Sequence, residues 1–157
     1  MQIDPLTQAN ATTIANDWHY PGAYAFYDMT ADPEDYAELL SAQQRGDRYY
    51  QVVTATGHLF GFFVIDPTEE AGVVEVGLGM VPAHTGRGQG EKFVREVLSF
   101  VRERHAPREI ILDVAAFNQR AQIVYQRLGF RVVREHSQAT NGAVFPFVEM
   151  RWRAADH

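Results

Sequence analysis

The sequence predicts an α/β domain built on a mixed sheet, and three observations predict it. Runs of β-branched and aromatic residues alternate with runs of helical periodicity along the chain. Three strand-like runs between residues 49 and 81 are joined by short turns, the pattern of a meander. A further strand-like run at 108–114 lies between two helical patterns, which makes the sheet mixed.

In order, residues 2–6 read as a strand and 7–17 as a helix with Thr7 as N-cap. An aromatic loop with a Pro-Gly break follows at 18–27. Asp32-Pro33-Glu34-Asp35 combines a cap, a proline at the first helical position and acids in the first turn, and starts a helix reaching about residue 44. The runs 49–54 and 58–65 flank Thr56-Gly57 as a hairpin, and 66–71 turns the chain into a third strand, 72–81. Gly77 and Gly79 inside that strand predict a bulge or a close backbone approach. Phe93, Val97, Phe100 and Val101 keep helical spacing over 88–105. A strand at 108–114 follows, then a helix from an Asn118 cap to residue 128, stopped by Gly129. Strands at 130–135 and 145–152 close the chain, with Asn141-Gly142 in the loop between them. The order is β-α-α-β-β-β-α-β-α-β-β.

A length of 157 residues fits one domain over 1–157, large enough to bury a core without staples. No cysteine is present, which removes disulfides, thiolate nucleophiles and Cys-based zinc sites together. The N-terminus has no basic segment leading into an apolar run, and nothing approaches 18 consecutive apolar residues. A cytoplasmic chain with no membrane association is therefore expected. The formal net charge of −6 comes without a basic face, so nucleic acid is not an expected partner. The acidity either favours a basic substrate or simply aids solubility. The histidines (19, 58, 84, 105, 136, 157) have no metal-ligand spacing, and no metal is expected.

The most informative stretch is Met80-Val81-Pro82-Ala83-His84-Thr85-Gly86-Arg87-Gly88-Gln89-Gly90-Glu91-Lys92. A strand runs into a glycine-rich turn that opens a helix. Such a turn converges backbone N–H groups on an anion, and the helix N-terminus adds partial positive charge. Arg87 and Lys92 can support the same anion. A P-loop would end in Gly-Lys-Ser/Thr, and a dinucleotide fingerprint would read Gly-x-Gly-x-x-Gly; this stretch is neither. A second motif is Asn118-Gln119-Arg120-Ala121-Gln122-Ile123-Val124-Tyr125-Gln126-Arg127-Leu128-Gly129-Phe130. Asn118 and Tyr125 lie two helical turns apart and face one side.

Together these stretches resemble the GNAT superfamily of N-acetyltransferases. The first is similar to that family's Arg/Gln-x-x-Gly-x-Gly/Ala loop and departs from it where Thr85 stands in place of Arg or Gln. The second matches every anchor of the family's Asn-x-x-Ala-x-x-x-Tyr-x-x-x-Gly-Phe segment. The resemblance is close over 72–135 and extends to the rest by layout. It implies a mostly antiparallel central sheet flanked by helices, with acetyl-CoA as donor and an amine as acceptor. It assigns the cofactor to Met80, Val81, Thr85, Gly86, Arg87, Gly88, Gln89, Gly90, Glu91, Lys92, Asn118 and Tyr125. It also implies direct attack of the amine on the thioester, with Glu75 as general base through a water and Tyr125 as proton donor to the leaving thiolate. The oxyanion would be held by a backbone N–H where the 77–81 strand splays from the 109–114 strand. His19, Tyr20, Tyr24 and Tyr27 are candidates to line the acceptor pocket, Tyr24 and Tyr27 foremost, or else form an aromatic mini-core. A neutral amine is required, which costs about 4.6 kcal/mol for a lysine at pH 7 against about 1.4 for an α-amine. Protein N-termini and small-molecule amines are both open as acceptors, and the chain is expected as a monomer or homodimer. A non-catalytic acyl-CoA-binding domain of the same fold is the alternative, with a nucleotide-binding module as a further one.

Overall fold

The computed structural model describes all 157 residues. Seven strands form one sheet: β1 (Gln2–Pro5), β2 (Tyr49–Val53), β3 (Leu59–Pro67), β4 (Val73–Met80), β5 (Glu109–Ala115), β6 (Arg131–Thr140) and β7 (Ala143–Arg153). Their spatial order is β1-β2-β3-β4-β5-β7-β6, and every pairing is antiparallel except β4 with β5. The helices are α1 (Gln8–Asp17), α2 (Pro33–Leu40), α3 (Ala42–Arg45), α4 (Gly90–His105) and α5 (Gln119–Arg127). This is the predicted mixed, mostly antiparallel sheet with flanking helices, in the predicted order.

The larger core lies between one sheet face and α4 with α5. Phe93, Val94, Val97, Leu98 and Val101 form the buried stripe of α4, packed on Phe63, Ile110 and Met150. Each such side chain removed from water contributes about 1.5–3 kcal/mol. A second core lies on the opposite face, where Ile14, Trp18 and Leu39 from α1, its C-cap and α2 cover Phe62. Gly79 pairs with Phe62 across the β3–β4 ladder, and a Cβ at Gly79 would stand 2.4 Å from that ring. The glycine therefore marks a close approach, and the β3–β4 register runs without a bulge.

Three boundaries differ from the sequence expectation. The helix begun at Pro33 breaks at Ser41, whose hydroxyl accepts from the Gln44 N–H, a local bond that competes with the helix. The break lets the buried Arg45 donate to the Leu39 carbonyl and to Gln8 Oε1. The last hairpin is longer than expected: β6 runs to Thr140, and β7 begins at Ala143. Its mostly polar residues 136–140 carry no alternation because β6 is an edge strand, and the backbone ladder with β7 sets their course. Asn141 and Gly142 form the two-residue turn with both φ values positive, as an Asn-Gly hairpin requires.

The segment before α2 is fastened to that turn. Asp32 caps α2 through the N–H groups of Glu34 and Asp35, and its other oxygen accepts from Thr140 Oγ1 and the Asn141 N–H, both at 3.0 Å. Asn141 Nδ2 donates to the Phe26 carbonyl. The aromatic stretch Gly22–Tyr27, a 3-10 turn, thus lies against Phe117, Phe145 and Phe147.

Candidate active site

The parallel pairing of β4 with β5 lasts for only three residue pairs, Val73–Glu109, Val74–Ile110 and Glu75–Ile111. Beyond Glu75 the two strands separate. Both continue, to Met80 and Ala115, with a cavity of about 400 Å³ at the opening. Alternate residues of an antiparallel strand direct their backbone groups to the same side. The Val81 N–H donates to the Phe60 carbonyl on the β3 side, so Leu78 turns its N–H and C=O toward the gap, where no strand meets them.

The glycine-rich turn closes one end of the cavity. Gly86 and Gly88 have φ of 73° and 75°, a left-handed conformation in which other residues are strained. The turn opens α4, and here the helix ends differ. Thr7, Asp32, Ser41 and Asn118 each cap their helices with a side chain, whereas Gln89 makes no such bond for α4. The first amides of α4 are therefore open at the cavity, the arrangement that receives an anion. Thr85 turns inward, donating from Oγ1 to the Pro82 carbonyl at 2.7 Å.

The other motif forms the opposite wall. Asn118 Oδ1 accepts from the Ala121 N–H, while its Nδ2 donates to the Tyr27 hydroxyl at 3.0 Å. Tyr125 is buried beneath the cavity, and no protein group hydrogen-bonds its hydroxyl. Loss of hydration, reinforced by the nearby Tyr27, pushes the Tyr125 phenol well above its ordinary range. It therefore stays protonated at neutral pH and keeps a proton to donate. Burial raises the Tyr27 phenol too.

Of the residues expected at the site, Met80, Thr85, Gly86, Gly88, Gly90, Glu91, Asn118, Tyr125, Tyr24 and Tyr27 line this one cavity. Val81, Arg87, Gln89 and Lys92 stand outside its lining. The Val81 N–H is spent on Phe60, whereas Met80, whose carbonyl accepts from the Tyr20 hydroxyl at 2.8 Å, turns its N–H to the same side as Leu78. Glu91 sits in the lining and pairs with Arg95 at 3.2 Å.

Glu75 also lies outside the lining, at the last paired row. It shares a sheet face with Asp113, whose Oδ1 is 2.7 Å from His136 Nε2. Glu75 is exposed, yet the packed sheet face around its carboxyl limits hydration and raises it above its ordinary 4.5, with Asp113, Asp66 and Glu149 adding to the rise. Asp113 is raised as well, burial outweighing the bond from His136. A carboxyl raised on folding is a burden wherever it is ionised: the penalty is complete above the folded pKa and absent below 4.5. Glu75→Gln is therefore expected to raise the thermal midpoint at about pH 7–8, the gain shrinking as pH falls through the raised value and vanishing below 4.5. Thermal melts across pH check this, and a midpoint lowered at pH 7 would contradict it.

Asp113, Arg120 and Leu78 also line the cavity and were not singled out from the sequence. Asp113 carried a usable signal, as a lone charge inside the apolar run Ile110-Ile111-Leu112-Asp113-Val114. No group of three or more His, Cys, Asp or Glu is gathered as a metal site, and no helix is long and apolar enough to cross a membrane.

Known proteins share this fold. A 59-residue stretch is 41% identical to the mycothiol acetyltransferase of Corynebacterium glutamicum; it covers 38% of this chain and 20% of the relative, so the chain matches about a fifth of that protein's length. Among solved structures, a chimera built on the spermidine N-acetyltransferase of Vibrio cholerae superposes with a TM-score of 0.77 at 18% identity, covering 99% of this chain and 98% of that one. The Vibrio cholerae spermidine N-acetyltransferase in complex with CoA and spermine gives 0.75 at 17% identity, covering 98% and 95%. A ribosomal-protein alanine acetyltransferase from Vibrio fischeri gives 0.67 at 18% identity, covering 99% and 93%. At these identities the superpositions speak for the fold. The family described as acetyltransferase (GNAT) matches residues 13–130, three quarters of the sequence, and the chain belongs to that family.

Proposed function

We propose that this acetyltransferase moves an acetyl group from acetyl-CoA to a primary amine, either a protein N-terminus or a small-molecule amine, by direct attack. One observation carries the reading: the two strands part over a cavity lined by both the glycine-rich turn and Tyr125. The cofactor's phosphates meet the Gly86–Gly88 turn and the uncapped start of α4. Its thioester lies in the gap, with the carbonyl oxygen toward the Leu78 N–H. As the amine nitrogen bonds to the acetyl carbon, that N–H faces the developing oxyanion. When the C–S bond breaks, the sulfur takes a proton from Tyr125, and the proton that the acylated nitrogen gives up as it becomes an amide restores the phenol.

The ammonium must first lose a proton. Glu75, through a water, takes it, which gives a physical reason for keeping a carboxylate in a setting that resists its charge. Tyr24 and Tyr27 then belong to the acceptor wall, where the Asp32–Asn141 bond holds their segment beside the cavity. The chain acts as one domain over 1–157, in the cytoplasm, as a monomer or homodimer, with no metal in the reaction.

Thiol release from acetyl-CoA tests the reading on a panel of peptides with free N-termini, diamines, polyamines, amino acids and amino sugars. Acceptor-dependent release with acetylated product is expected for at least one class. Tight CoA binding with no turnover on any amine would assign the chain to the non-catalytic alternative.

A further inference from the structure

Arg120 stands in the first turn of α5, in the cavity lining, and its guanidinium forms no ion pair or hydrogen bond with another residue. Its guanidinium is nevertheless held in place, lying over the Tyr24 ring at 4.3 Å from the centroid. It also presses on the glycine-rich turn: a Cβ at Gly86 would stand 3.0 Å from Arg120 Nη1. The other cations near the turn are placed differently. Arg87 and Lys92 lie outside the cavity lining, and Arg127 reaches toward Glu91 at 4.0 Å. Thr85 has already turned its hydroxyl back to Pro82. One planar cation without a carboxylate partner therefore faces the turn, fixed by an aromatic ring that belongs to the opposite wall.

From this placement we propose that Arg120 binds the diphosphate of the acyl-CoA donor, and that its stack on Tyr24 couples donor binding to the acceptor wall. The inference rests on the acetyl-CoA reading above and adds to it a residue and a linkage. A guanidinium fork suits two phosphate oxygens better than an ammonium does. The ring pre-orients the fork, so less side-chain freedom is lost when the diphosphate arrives. Conversely, a donor that draws Arg120 toward the turn fixes Tyr24, and through it the 22–27 segment. By linkage, each ligand should then tighten the binding of the other.

Calorimetric titrations of the intact protein and its Arg120→Gln, Arg120→Lys and Tyr24→Leu variants test this. The ligands are CoA, dephospho-CoA, which lacks the 3′-phosphate, and pantetheine, which lacks the diphosphate. Arg120→Gln is expected to weaken CoA and dephospho-CoA alike by about tenfold, as for loss of a charge-assisted hydrogen bond, and to leave pantetheine unchanged. Arg120→Lys recovers part of the loss. Tyr24→Leu, although it touches no phosphate, weakens CoA about threefold by releasing the guanidinium. Melting curves confirm that each variant is folded. Equal affinities of wild type and Arg120→Gln for CoA would overturn the proposal. A loss seen with CoA and absent with dephospho-CoA would move Arg120 to the 3′-phosphate and overturn the diphosphate assignment. An unchanged CoA affinity in Tyr24→Leu would remove the coupling. A wild-type protein that binds no CoA would instead refute the donor reading itself.

Discussion

Tyr125→Phe is expected to lower turnover by about 100-fold or more, while acetyl-CoA affinity stays within about twofold. The substitution deletes one oxygen and keeps the ring, so the packing of Tyr125 on Phe130 persists. What disappears is the donor beneath the cavity, a phenol held protonated by burial and free of protein partners. The leaving thiolate then departs without a hydrogen bond or a proton. Because the hydroxyl acts only as the C–S bond breaks, the loss falls on kcat and spares ground-state binding. Steady-state kinetics with calorimetry separates the two. A variant with wild-type kcat would remove Tyr125 from the reaction, and a lost affinity with unchanged kcat would make it a binding residue.

The second large effect belongs to the turn. The double substitution Gly86→Ala with Gly88→Ala is expected to weaken acetyl-CoA by about 100-fold, since each left-handed alanine costs roughly 1–2 kcal/mol. Both positions hold φ above 70°, and at Gly86 the added methyl also meets Arg120. Either the backbone keeps its shape under strain or it relaxes and turns its amides away from the phosphates. The cores, on Phe63, Phe93 and Trp18, are untouched, so a turn that relaxes leaves the thermal midpoint nearly unchanged, whereas one held in its left-handed shape lowers it by several degrees. A double variant that binds acetyl-CoA normally would show that the turn does not receive the phosphates.

Much of this was legible in the sequence because it rests on local chemistry. The stripe Phe93, Val97, Val101 announces a helix with one buried face, and burial on α4 follows it. Asn118 announces a cap, and its Oδ1 makes that bond. The glycines at 86, 88 and 90 announce a turn that opens a helix, and the chain turns there into α4, with 86 and 88 left-handed. What stayed hidden depends on contacts between distant segments. Nothing in the neighbourhood of Arg120 shows that Tyr24 will lie beneath it. Val81 reads as a free backbone donor until β3 brings the Phe60 carbonyl to it. The helix break at Ser41 reads as nothing more than a serine in a helical run until Arg45, freed by it, meets the Leu39 carbonyl and Gln8. The edge residues 136–140 show no strand pattern, because no core sorts their two faces.

The central claim is that the opening between β4 and β5 receives acetyl-CoA. Calorimetric titration of the purified protein with acetyl-CoA, with ATP and NAD as controls, tests it most directly. The account predicts saturable binding at about micromolar concentration for acetyl-CoA, and none for ATP or NAD. Binding of ATP or NAD without acetyl-CoA, or no binding of acetyl-CoA at all, would contradict it.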